Sequence, residues 1–115
     1  MTSSVMANQT RFTGAERRHR KVFITKHTEY HVAHGEVIAI RTRGTKEWMK
    51  VHSAFGMKVV GSIPEGTYLP QLGQPKPGQR LYLARTDNDV VTSPLIAILR
   101  PTKTTVAGYP AASVS

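Results

Sequence analysis

Short runs of alternating apolar and polar residues, separated by glycine turns, are the feature that most constrains how this chain folds. They are densest in residues 28–53, where we identify three successive strand-like runs. The turns between them are His34 with Gly35, and Gly44 with Thr45. Successive side chains of a strand point to opposite faces, so this period favours half-buried strands. No window of eleven or more residues combines a helical period with capping residues, and we expect no substantial helix.

The runs outside residues 28–53 extend the same pattern. Residues 21–33 contain a break near Lys26 to Thr28, which predicts a bulge or two short strands. Further runs cover residues 57–60, 80–85 and 90–100, and the stretches 37–40 and 95–99 are apolar on both faces. We therefore predict an all-β domain, a small closed or half-open barrel of five or six short antiparallel strands.

Composition divides the chain into three parts. Residues 1–20 are polar, small or basic and predict a flexible N-terminal tail, because they bury too little apolar surface to offset the entropy of ordering. Residues 21–101 form the predicted β-barrel domain. Residues 102–115 return to Thr, Ala, Ser and Gly and predict a second flexible tail.

A surplus of positive charge is the main indication of function. The chain has 16 Lys and Arg against 7 Asp and Glu, a formal net charge of +9, which attracts polyanions. Single-strand binders combine such charge with aromatic platforms for stacked bases. We predict a non-catalytic module that contacts a polyanion, nucleic acid in particular, with low sequence specificity. The candidate binding residues are Arg17, Arg18, Arg20, Arg41, Arg43, Lys46, Trp48 and Lys50. The alternative is that Trp48 is a core residue and the charges only keep the domain soluble.

Titration of histidine adds a pH dependence to this hypothesis. Five His residues lie outside the formal charge and gain charge below about pH 6.5. We expect the affinity for polyanions to rise on mild acidification.

Features of exported or membrane proteins are missing from the sequence. The chain has no Cys, which suits a reducing compartment. No apolar run reaches the roughly 18 residues that a membrane helix needs, and the first ten residues lack a secretory pattern. We expect a cytoplasmic protein with no membrane span.

Catalytic and metal-binding patterns are weak. His27, Glu29 and His31 alternate along one strand, and two His with a Glu suit zinc. The alternative is a row of polar side chains on the solvent face. No nucleophile, base and oxyanion donor can be assigned together, so we expect no enzyme and no cofactor.

Two further functions remain open. The run 90–100 is apolar, and at a sheet edge it would pair with another copy or a partner, which makes an assembly module possible. The basic lead-in 17–21 and the segment 51–56 resemble the motifs of PilZ domains. Lys21 stands where that family has its second Arg, Val51 replaces an acid or amide, and Ser53 and Gly56 match. The resemblance implies a β-barrel that binds a cyclic dinucleotide.

Overall fold

The computed structural model describes residues 19–110 and contains one antiparallel sheet of eight strands with one short helix. The elements in chain order are β1 Arg20–Ile24, β2 Thr28–Ala33, β3 Glu36–Thr42, β4 Lys58–Ile63, β5 Gln71–Leu72, β6 Arg80–Arg85, β7 Asn88–Pro94, β8 Ala97–Leu99 and α1 Lys103–Ala107. The predicted all-β class is confirmed. The sheet is not closed, so neither the barrel nor the predicted count of five or six strands is confirmed.

The sheet is ordered β7-β6-β4-β3-β2-β1-β8, and β5 pairs with β4 off this path. β3 and β4 share a single paired position, Glu36 opposite Lys58. The sheet therefore has two halves, β8-β1-β2-β3 and β4-β6-β7, which meet at a narrow joint.

Local turn chemistry explains the first half. His34 and Gly35 both have positive φ, 52° and 82°, as a two-residue hairpin turn with matching twist requires. This confirms the predicted turn between β2 and β3. At the predicted break, the Thr25 side chain accepts a hydrogen bond from the backbone N–H of Thr28 at 3.2 Å, so residues 21–33 form two strands.

The prediction of a third strand within residues 28–53 is wrong. After Gly44 the chain makes one isolated bridge, Trp48 with Arg41, and then leaves the sheet. The His52 side chain accepts a hydrogen bond from the N–H of Ala54 at 3.0 Å. Gly56 then takes a φ of 78°. This local bonding offers the backbone a turn in place of a strand ladder.

The last apolar run divides into two strands on opposite edges of the sheet. β7 ends at Pro94, and β8 begins at Ala97. Between them, the N–H of Leu95 donates to Gln79 O at 2.9 Å and that of Ile96 to Ile24 O at 2.7 Å. Two residues thus carry the chain from one edge to the other.

The core joins both halves of the sheet. Its buried members are Phe23, Tyr30, Val32, Val37, Ile40, Ala54, Met57, Leu81, Leu83 and Leu95. β1, β2 and β3 supply the first five, and β6 supplies Leu81 and Leu83. One continuous apolar cluster therefore stabilises the whole domain despite the narrow β3–β4 joint.

The predicted tails differ from the structure where it describes them. Residues 1–18 and 111–115 lie outside the described residues, and Arg20 already belongs to β1. Residues 102–110 contain α1, whose N-cap Thr102 accepts a hydrogen bond from Thr105 N–H. A capping threonine of this kind stabilises a helix start. Within residues 19–110, no helix has the length and apolar character needed to cross a membrane.

Candidate functional site

The face of the sheet opposite the core carries the polar cluster of greatest interest. Phe23, Tyr30 and Ile40 are neighbours across β1, β2 and β3, and all three are core residues. The next residue of β2 after Tyr30 is His31, which lies on the other face, opposite Val22 in β1 and Ala39 in β3. Glu29 lies on that second face too, opposite Arg41. We call this second face the outer face.

Residues 102–110, which we call the C-terminal segment, cover the outer face. The Tyr109 hydroxyl lies 2.8 Å from His31 Nδ1. The Trp48 indole N–H donates to the carbonyl of Gly108 at 2.9 Å. His31 is left only 1% exposed. A histidine on a face predicted to meet solvent is therefore one of the most buried side chains of the domain.

The hydrogen bonds of Glu29 fix the protonation pattern of His31. Glu29 Oε1 accepts from Arg41 Nε at 2.8 Å and lies 2.9 Å from His31 Nε2. An ionised carboxylate can only accept, so Nε2 carries the proton in the neutral imidazole. Nδ1 then accepts a hydrogen bond from the Tyr109 hydroxyl. A carboxylate, an imidazole and a hydroxyl are thus aligned.

Cations and rings surround this line. The Arg41 guanidinium lies 4.5 Å from the centroid of Trp48, and that of Arg20 lies 5.5 Å from the centroid of Tyr109. Trp48 and Tyr109 meet edge to face at 5.3 Å, and the His31 ring touches both, at 4.9 and 5.3 Å. Such contacts stabilise by roughly 0.5–2 kcal/mol each. We call Arg20, His31, Arg41 and Trp48 the outer-face cluster.

Burial and hydrogen bonding shift the acidity of these groups. Burial lowers the pKa of His31, and its hydrogen bond to Glu29 offsets only part of that effect. Burial would raise the pKa of Glu29, but the bonds and charges of His31 and Arg41 together lower it. Burial raises the pKa of Tyr109 to about 12 against the opposing charges of Arg20 and Arg41. At neutral pH His31 is therefore neutral, Glu29 is ionised and Tyr109 is protonated.

This alignment holds the C-terminal segment against the sheet. A nucleophilic hydroxyl needs a base that lowers the barrier to its deprotonation and an accessible reacting atom. A Tyr109 pKa of about 12 keeps its proton in place. The imidazole that would accept that proton is buried beneath the C-terminal segment.

The structure brings three of the eight predicted binding residues together: Arg20, Arg41 and Trp48, all in the outer-face cluster. Lys46 and Lys50 are exposed in the irregular stretch after β3. Arg17 and Arg18 lie outside the described residues. His52, which a regular hairpin would place beside Trp48, instead packs against the core residue Tyr30 at 5.9 Å.

Arg43, the remaining predicted residue, lies at one end of the sheet beside the β1–β2 turn. Its backbone N–H donates to His27 O at 2.8 Å. Its guanidinium reaches the carbonyl of Lys26 at 3.5 Å. We call Lys26, His27, Arg43 and Lys46 the cationic end, and all four side chains are exposed. Within residues 19–110 none of the four forms an ion pair, since the ion pairs described there join Glu29 to His31 and Arg41.

The candidate zinc ligands do not converge. His27 is exposed in the turn before β2 and hydrogen-bonds through its carbonyl to Arg43. Glu29 and His31 are bonded to each other on the outer face. In the described part of the chain, no group of three His, Cys, Asp or Glu side chains has a metal-binding arrangement.

The positions that resemble PilZ motifs have a different setting here. Ser53 and Gly56 belong to a turn between β3 and β4, with the carbonyl of Ser53 accepting from Arg85 at 2.9 Å. Lys21 is half-buried in β1. Among the described residues, neither position has a contact that tests the cyclic-dinucleotide alternative, which stays a prediction.

Sequence reasoning missed Tyr109 and the burial of His31. Tyr109 falls in a stretch predicted as a tail, and 78 residues separate it from His31. The available signal was a single aromatic residue in a segment of small and polar residues, behind a threonine able to cap a helix.

A comparison of the chain with protein-family models, curated proteins and solved structures finds no match.

Proposed function

We propose that this protein is a non-catalytic binding module for polyanions, nucleic acid in particular, with low sequence specificity. The observation that carries the proposal is the cationic end. The Lys26 turn and Arg43 lie side by side. With Lys46, three residues after Arg43, they expose three cations without acidic partners among the described residues.

Phosphate contacts supply the affinity in this proposal. Lys and Arg at the cationic end displace counterions from the nucleic acid backbone, which gives salt-dependent and sequence-independent binding. Glu47 is the one acid in residues 40–50, so repulsion of phosphates there is small beside the attraction. Trp48 is half-buried, with Arg41 over its ring, so base stacking on it contributes little while the C-terminal segment is in place.

The finer features of the predicted domain are part of this proposal. We propose a half-open barrel in a cytoplasmic protein. The two-residue link between β7 and β8 supports the barrel, because three Cα–Cα steps span at most about 11 Å. The edge strands of the sheet therefore approach each other at this link.

A salt titration tests the function. The variant Lys26→Gln/Arg43→Gln/Lys46→Gln should bind a fluorescent 20-nucleotide single strand more weakly. The slope of log K against log salt should become shallower by about 2, since each phosphate contact to a single strand contributes about 0.7. Fluorescence anisotropy at several salt concentrations measures both quantities.

The matched control removes the same charge from the other half of the sheet. Lys58, Lys76 and Arg80 are exposed there, and their triple Gln variant should keep most of the slope. Equal losses in the two variants would mean that net charge alone drives binding. Absence of binding by the wild-type protein at low salt would refute the proposed function.

Assembly through an edge strand is the second candidate, and the position of β7 favours it. This seven-residue strand forms one edge of the sheet and pairs with β6 alone among the described strands. Val91 is 44% exposed on it. An exposed edge with an apolar side chain is a template for another strand.

A further inference from the structure

We propose that Tyr109 occupies a nucleotide-binding site on the outer face, so that the C-terminal segment and a single-stranded nucleic acid compete for the outer-face cluster. This inference rests on the proposed function and adds to it a second contact region and a means of covering it.

The surroundings of Tyr109 suit a nucleotide. Its ring is flanked by the Arg20 guanidinium at 5.5 Å and by the ring of Trp48 at 5.3 Å. Its polar end meets His31 Nδ1 at 2.8 Å. A base needs the same elements, namely aromatic and guanidinium surfaces and one hydrogen-bonding partner for its edge. Arg20 supplies positive charge for the attached phosphate, whereas the charge of Arg41 is already balanced by Glu29 at 2.8 Å.

The C-terminal segment is held by few contacts. α1 has five residues and none of them is buried. Beyond the hydrogen bonds internal to the segment, the contacts described for it are the bonds of Tyr109 to His31 and of Gly108 to Trp48, together with the ring contacts of Tyr109 to Arg20, His31 and Trp48. No strand pairing includes residues 102–110. Segments with few buried apolar contacts open at low free energy, so this segment can detach while the sheet stays folded.

Opening would extend the cationic end across the outer face. Arg41 is two residues before Arg43 along β3 and its extension, so the two sites adjoin. Uncovering Arg20 adds about one phosphate contact and steepens the salt slope by about 0.7, since Arg41 stays paired with Glu29. Competition between an internal occupant and a ligand reduces the apparent affinity by the fraction of molecules that are open.

The variant Tyr109→Ala tests this competition. It should bind the 20-nucleotide strand about fivefold more tightly or better, the scale of a modest coupling between sites, with a salt slope steeper by about 0.7. Arg20→Gln added to Tyr109→Ala should remove most of that steepening. Tyr68→Ala is the matched control, because Tyr68 is 95% exposed and far from the outer face in sequence.

Trp48 reports the opening without any ligand, because it is the single tryptophan of the chain. Tyr109→Ala should change its emission, and a saturating oligonucleotide should shift wild-type emission towards that of the variant. Tyr109→Phe keeps the ring and loses the hydroxyl, and it should give an intermediate affinity. This variant decides the question if Tyr109→Ala fails to fold.

Two results separate the inference from the function on which it rests. Wild-type, Tyr68→Ala and Tyr109 variants that all bind with the same affinity and slope would overturn the competition and leave the polyanion module standing. No binding by any variant at low salt would overturn both.

Discussion

At the scale of single residues, His31 is the side chain whose chemistry depends most on its surroundings. It is neutral because burial disfavours its charged form, although Glu29 accepts a hydrogen bond from its Nε2–H. Its other nitrogen is free to accept from Tyr109. One buried imidazole thus links the centre of the sheet to the C-terminal segment.

The lowered pKa of His31 predicts a loss of stability in mild acid. In the unfolded chain the imidazole takes up a proton near its ordinary pKa of 6.5, whereas in the folded protein it does so only at lower pH. The unfolded state therefore binds more protons as the pH falls below about 6.5, and the free energy of unfolding should decrease from there towards the folded pKa. Urea unfolding followed by Trp48 fluorescence between pH 8 and pH 5 measures this slope.

The control for this prediction separates His31 from the exposed histidines. His31→Gln should be less stable than wild type at pH 8 but should lose less stability between pH 6.5 and pH 5. His27→Gln, at an exposed position, should retain the wild-type slope. The window ends at pH 5 because Glu29, whose lowered pKa acts in the same direction, contributes below its ordinary value of 4.5. An unchanged slope in His31→Gln would contradict the assignment.

Residue-level prediction from the sequence reached only part of this arrangement. Alternation along β2 correctly places Glu29 and His31 on one face, since neighbours two apart share a side. It could not show that the face is covered. The covering residue lies 78 positions away from His31, and no local pattern encodes a contact of that range.

At the scale of secondary structure, elements set by local chemistry were predicted and those set by distant partners were not. The hairpin around His34 and Gly35 follows from backbone preferences of the two turn residues. β6 follows from simple alternation in residues 80–85. Residues 47–53 alternate just as well, yet they lack a strand because the chain turns away after Trp48.

The pairing of β5 with β4 gives a testable prediction at this scale, because it depends on a glycine in β4. A Cβ on Gly61 would overlap the carbonyl oxygen of Gln71 in β5, and the two backbones pair at this point. Gly61→Ala should therefore separate β5 from β4, at a cost typical of overpacking, about 1–3 kcal/mol. Limited proteolysis should then cut residues 64–73 faster.

Gly108→Ala is the comparison for Gly61→Ala. A Cβ there meets Thr104 O at an ordinary 3.6 Å, so this variant should resist proteolysis in residues 64–73 as wild type does. Equal cleavage of Gly61→Ala and wild type would show that β5 does not depend on close backbone approach.

At the scale of the whole molecule, net charge and open edges favour different partners. The charge of +9 attracts polyanions at long range. Among the described strands β7 pairs with β6 alone, and its other edge provides backbone groups for another strand. These two modes respond differently to salt, because screening weakens charge attraction and leaves strand pairing largely intact.

Light scattering after gel filtration distinguishes them. Assembly through β7 predicts an oligomer that persists in 1 M salt and that Val91→Lys dissociates, because like charges would meet across the paired edge. Val51→Lys, at an 88% exposed position outside the strands, should leave such an oligomer intact. A monomer at every salt concentration would eliminate the assembly candidate and leave the polyanion module.

The link between β7 and β8 also determines when β1 can be completed. Ile24 of β1 pairs with Ala97 of β8 on its second side, and Ala97 lies near the end of the described residues. During translation β1, β2 and β3 emerge well before β8, so among the described strands one side of β1 lacks its partner until then. Pairing over such a sequence distance makes folding slow. Until β8 has emerged, that side of β1 is a site where pairing with a wrong strand can occur.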